Sequence, residues 1–133
     1  MKLDRSFLVW SLSYAAVGLA LGIYMGASHN HVELVTHAHI LLIGFVLSLV
    51  YAIIHKLWLE KPSRGVANVQ FLLHQAAAVT VSVALFLLYG NMLPESTLGP
   101  ILGIASAGIL LAMLLMLYMV IRFDAAQAAT GAR

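Results

Sequence analysis

Six histidines and no cysteine define the chemistry open to this chain. Imidazole nitrogen is the main soft donor present, with thioether sulfur behind it. Disulfides, thiolate metal sites, cysteine nucleophiles and covalent c-type heme attachment are excluded. Three histidines, His37, His39 and His55, stand in residues 36–56, THAHILLIGFVLSLVYAIIHK, a stretch otherwise apolar enough to sit in lipid. At helical geometry His37, Leu41, Gly44, Ser48, Tyr51 and His55 fall on one polar stripe. His37 and His55 then point the same way but lie ~27 Å apart along the axis, so they cannot share one ion. His39 is turned ~200° from His37 and faces outward among Ile43, Val46, Val50 and Leu57, where it needs a partner from elsewhere.

The elements that must carry these residues follow from composition. The chain has 133 residues, 62% hydrophobic and 9% charged, with a mean hydropathy of +0.98. A soluble domain cannot hide that much apolar surface, so the expectation is a single integral membrane domain, residues 1–133. The formal charge of +2 is spread over the chain ends and one loop, and nothing points to nucleic acid. Four apolar runs predict helices over about 6–28, 34–58, 66–90 and 97–123, an all-α four-helix transmembrane bundle of up-down topology. The first run is longer than a signal-peptide core and is read as a helix.

Lys2, Arg5, Lys56, Lys61, Arg64, Arg122 and Arg133 all fall on one side of such a path, whereas the opposite loops, HNHVE and NMLPES, carry no Lys or Arg. By the positive-inside rule both termini are cytoplasmic and the protein is a multi-pass component of the inner, cytoplasmic membrane. Gly18, Gly22 and Gly26 on the first helix, and Gly99, Gly103 and Ala107 on the fourth, form small-residue faces whose ordinary meaning is close helix packing. Pro62 is placed in the cytoplasmic turn, and the tail AAQAATGAR is expected to fray.

The third helix contributes His74, with Gln70 one turn earlier and Ala67, Ala77, Val81 and Ala84 along the same stripe. Counted from Val66 it lies ~12 Å inside, near the depth of His55. His37 and His39 lie in the outer half, below the loop bearing His29, His31 and Glu33. The sequence therefore proposes two histidine zones. Ionisable side chains in a membrane segment are costly and call for a partner. Neutral imidazole is a standard ligand of heme iron, and Gly44, Ala77 and Ala78 offer room for a macrocycle. Histidines separated by one residue lie on opposite helix faces and suit two different cofactors.

The segment Thr36-His37-Ala38-His39, followed by four residues and then Gly44-Phe45, resembles the tenth-helix pattern of the heme-copper oxidase superfamily catalytic subunit. The likeness is greatest to nitric oxide reductases and C-type oxidases. The helix reading FLLHQAAAV is similar to that of small four-helix proteins grouped with the same superfamily. The resemblance implies that the first histidine ligates a high-spin heme and the second a low-spin heme, near the outer side of the membrane. No His-Pro-Glu or His-His copper motif is present, so oxygen reduction and proton pumping are not implied. The family's catalytic subunit has three four-helix arcs, and a trimer of this chain would mimic them.

These readings converge on a membrane protein binding heme b through His37, His39 and His74, with Gly44 giving room and His55 a further candidate. Met25 and Met92 are the thioethers within reach of a sixth-ligand role. It would carry electrons or bind a diatomic gas (nitric oxide or oxygen), as an oxidoreductase component without an assigned catalytic residue. Expected partners are the bilayer, further copies of the chain and a redox partner or quinol. Other readings stand beside this one. His29, His31 and Glu33 could form a zinc or copper site in a metal-handling protein. His55, beside Lys56 and Trp58, could be an interfacial anchor. His37 could simply bond Thr36, Ser48 or a neighbouring helix, in a purely structural or assembly subunit.

Overall fold

The computed structural model describes residues 2–59 and 64–130, with side chains through Arg122. Lys61, Pro62 and Arg133, used in the charge and turn readings, lie outside the described residues. Four helices make up the described chain. They are α1 (Leu3–Ser28), α2 (Leu34–Leu57), α3 (Arg64–Tyr89) and α4 (Glu95–Thr130), each long and apolar enough to cross a membrane. α4 continues to Thr130, so most of the tail expected to fray is helical. Two left-handed residues close the helix ends. His29, at φ 55°, caps α1, and Asn91, at φ 55°, turns the chain after α3. Both are residue types that tolerate this conformation better than most.

Neighbouring helices run in opposite directions, as their contacts show. Along α1 and α2, Phe7 meets His55, Tyr14 meets Gly44, Gly18 meets Leu41 and Gly22 meets His37, one index rising as the other falls. α2 meets α3 where Ser48 reaches His74, and α3 meets α4 where Ala77 lies against Gly108. A cluster of Phe7, Tyr51, Ala52, Leu59, Ala67, Met116 and Met119 ties all four helices together at one end. Lys2, Arg5, Lys56, Arg64 and Arg122 belong to the same end, because each lies within a turn or so of a member of that cluster. Val81, Leu85 and Ala105 join α3 to α4 toward the other end.

α2 is not uniformly α-helical. Residues Ile40–Leu47 form a π-helical stretch, with α-helix before and after it. Its wider i→i+5 winding explains a pattern in burial, since Thr36, Ile40, Gly44, Ser48 and Ala52 are buried at a strict four-residue interval. At 3.6 residues per turn such an interval would drift off one face. Gly44 sits within the loosened stretch, and the Tyr14 ring occupies the space that a side chain there would take. The Ser11 hydroxyl donates to the Phe45 carbonyl at 3.2 Å, adding an inter-helix bond within the altered ladder.

The small-residue faces are used unequally. On α1, Gly18 admits Leu41 and Gly22 admits His37, while Gly26 faces open space. On α4, Gly99 and Gly103 meet nothing within 4 Å, and the close approach to α3 is made by Gly108. The packing expected of Gly103 and Ala107 is thus carried by the next residue.

Candidate histidine sites

The outer zone is built on the junction of α1 and α2. His37 emerges from the first turns of α2 toward α1, and its ring lies against Gly22, where an added Cβ would stand 2.9 Å from Cε1. Its Nδ1 is 2.9 Å from the Gly18 carbonyl oxygen. A carbonyl only accepts, so Nδ1 carries the hydrogen and Nε2 keeps its lone pair. His39 repeats the arrangement on another face, donating from Nδ1 to the Val35 carbonyl one turn back at 2.8 Å. Neither Nε2 has a hydrogen-bond partner among the described residues, and both rings are half-buried. Metal-ligating histidines are commonly held in this way, with the far nitrogen donating to a carbonyl so that the ring is oriented and the tautomer fixed.

The loop above is organised for packing. His29 is the α1 cap and is exposed, and His31 is exposed as well. Glu33 turns the other way. It is 5% exposed, accepts a 2.6 Å hydrogen bond from the Thr36 hydroxyl and lies beside Gly90 at the end of α3. Among the described residues no three His, Asp or Glu side chains converge as a metal would require. His29, His31 and Glu33 are therefore close in sequence but not gathered by this fold, because the carboxylate is committed to the helix junction.

The inner zone is more enclosed. His74 is fully buried, with Nε2 3.0 Å from the Ser48 hydroxyl and its ring edge-on to Tyr51 at 4.9 Å between centroids. Gln75 donates to the same hydroxyl over 3.5 Å. His55 is buried and stacked on Phe7, with centroids 5.5 Å apart at 20°. It is not the interfacial anchor that its neighbours Lys56 and Trp58 suggested, because α1 covers it. The room expected for a macrocycle inside the bundle, beside Gly44, Ala77 and Ala78, is filled, which leaves only the half-buried faces that carry His37 and His39 for such a group. Tyr14 occupies the Gly44 notch, Ala77 abuts Gly108, and Ala78 is buried.

The fold therefore brings His55 and His74 to one aromatic neighbour, Phe7, at 5.5 and 6.2 Å. It keeps His37 and His39 apart from them. His39 is nine residues above Ser48, roughly 13 Å at helical rise, and does not meet His74 within one chain. Sequence reasoning did not single out Gln75, Tyr14 or the second role of Gly22. Only the glutamine, a polar residue next to His74, left a readable signal. Comparison of the chain with protein-family models, curated proteins and solved structures finds no match.

Proposed function

We propose that the chain is a multi-pass b-type hemoprotein of the cytoplasmic membrane, in which His37 and His39, on opposite faces of α2, would hold heme. The observation that carries this reading is the shared state of the two imidazoles. Each gives its Nδ1 hydrogen to a backbone carbonyl and keeps an Nε2 lone pair unclaimed. A purely structural histidine in lipid would be expected to satisfy both nitrogens. Bound heme would supply one-electron chemistry or a site for a diatomic gas. The protein's part is to orient the imidazoles through their Nδ1 hydrogen bonds and leave each Nε2 free.

His74 fits the ligand role less well, since its Nε2 is engaged by Ser48 and its side chain is fully buried. A second ligand for a heme on the His39 face would come from another copy of the chain or from the bound gas, which favours a homo-oligomer. The basic residues gathered at one end of the helices support an orientation with both termini cytoplasmic. A redox partner or quinol would complete the electron path.

Visible spectra of the protein purified in mild detergent test the reading, oxidised and dithionite-reduced, with and without nitric oxide or carbon monoxide. Sharp reduced Soret and α bands lost in His37→Ala or His39→Ala are expected. A featureless spectrum from protein matured with ample heme rejects the proposal.

A further inference from the structure

Six buried side-chain polar atoms among the described residues have no hydrogen-bond partner, and five of them lie on one stretch where α2 faces α3. They are His55 Nε2, both amide atoms of Gln70, His74 Nδ1 and Gln75 Oε1. Gln70 and His74 are fully buried, and Gln75 and His55 are nearly so, at 5% and 7% exposure. Leaving so many polar atoms unpaired in an apolar interior is strongly unfavourable, so something fills their bonding capacity.

The mixture of groups identifies the filler. Imidazole and amide each present donors and acceptors, so the occupant must both give and take hydrogen bonds. No three His, Asp or Glu converge here, and no cation is buried among the described residues, so neither a metal nor an anion suits the set. Water does. The order along the helices is also informative. Asp4 of α1 is the charged group near His55 at the basic end, and the Gln70 amide stands next to the His55 ring, too far for a well-formed direct hydrogen bond but near enough to interact with it. Gln70 lies one turn before His74, and His74 is joined through Ser48 to Gln75. Beyond Gln75 the buried face of α3 is Ala77, Ala78, Val81, Ala84 and Leu85, with no polar side chain. α2 adds the Tyr51 hydroxyl, turned to the Met113 sulfur, and α4 adds Met116 and Met119.

We propose that the inner halves of α2 and α3 enclose a file of ordered water, open at the basic end and stopping at Gln75, along which protons exchange between His55 and His74. An imidazole takes a proton on one nitrogen and releases one from the other. Ser48, which receives Gln75, and the Ile43 carbonyl both stand beside the His74 ring, so its nitrogens have an acceptor and a hydroxyl on the helix side while Nδ1 is without a partner at the file. This inference does not depend on heme.

The absence of cysteine makes the test clean. Gln70→Cys, Val69→Cys and Val81→Cys are made singly and treated in membrane vesicles with a charged, membrane-impermeant methanethiosulfonate from either side. Val69 is exposed on the outer surface of the bundle, where lipid keeps a thiol un-ionised and unreactive. The thiol of the Gln70→Cys variant is expected to react several-fold faster than either control, and only from the basic-end side. Equal rates at all three positions overturn the proposal. Deuterium exchange of the His74 ring hydrogen in the unmodified chain, followed by nitrogen NMR in bilayers, guards against misfolded variants. Exchange as fast as that of exposed His29 supports the file, and protection matching the neighbouring backbone amides of α3 overturns it.

Discussion

His37 rests on Gly22. The missing side chain leaves room for the Cε1 edge of the imidazole to approach α1 and for Nδ1 to reach the Gly18 carbonyl, so two glycines spaced as a packing motif hold a polar ring. A methyl group at position 22 would stand 2.9 Å from His37 Cε1 and move the ring off its acceptor. On the proposed heme reading, Gly22→Ala should lower heme occupancy and broaden the Soret band, while Gly26→Ala, with open space around it, leaves both unchanged. Quantitative pyridine hemochrome assays on the two variants check this.

Gly44→Ala is expected to be among the most damaging single-methyl additions in the chain. The new Cβ would fall 2.5 Å from Tyr14 Cγ, a rigid ring with little room to retreat, and overpacking of this kind costs about 1–3 kcal/mol. Gly18→Ala meets Leu41 Cδ2 at a similar distance, but the end of a flexible side chain can swing aside, so its loss should be smaller. Gly103→Ala should be neutral or slightly stabilising. Thermal unfolding in one detergent, followed by circular dichroism, ranks the three.

Ser48→Ala removes the hydroxyl that pairs with His74 Nε2 and receives the Gln75 amide. A buried nitrogen left without a partner predicts a loss of about 1–3 kcal/mol. Ser48→Ala combined with His74→Leu should cost less than the sum of the two single changes. Equal additivity in a double-mutant cycle would show that the pair is not coupled.

At the other end, Thr36→Val removes the donor to the buried Glu33 carboxylate, whose hydrogen bond is 2.6 Å long. Leaving the buried carboxyl group without this partner costs about 1–3 kcal/mol, so this variant should unfold earlier than Thr36→Ser, which keeps the hydroxyl. Zinc or copper affinity should not change, since Glu33 faces away from His29 and His31. Melting curves and isothermal titration with each metal read both effects.

The four helices were legible because length and hydropathy alone demand them, and the polar stripe of α2 was legible because its residues recur at three and four. What hydropathy does not encode is winding. Nothing in ILLIGFVL announces a π-helical stretch, since every residue in it is apolar or glycine and satisfies either ladder. The depth of His74 could be counted from the helix start, but its engagement by Ser48 depends on how α2 and α3 meet. His55 looked interfacial because its own helix ends in Lys56 and Trp58, and only the Phe7 ring of another helix removes it from the surface. Glu33 looked like a third ligand beside His29 and His31, whereas the turn at the α1 cap sends it to Gly90. Each of these differences comes from contacts between helices, which a single helical pattern does not contain.

The π-helical stretch has a consequence for how the two histidine zones are coupled. It takes up one residue more than α-winding would fit in the same span, so removing one residue from Ile40–Leu47 would let the stretch rewind as α-helix while the outer half kept nearly its present face. His37 would still face α1 and His39 the other side, with Ser48, Tyr51 and His55 in place. Deleting Leu49 or Val50 from the regular helix instead would turn the whole outer half by ~100° and carry His37 off α1.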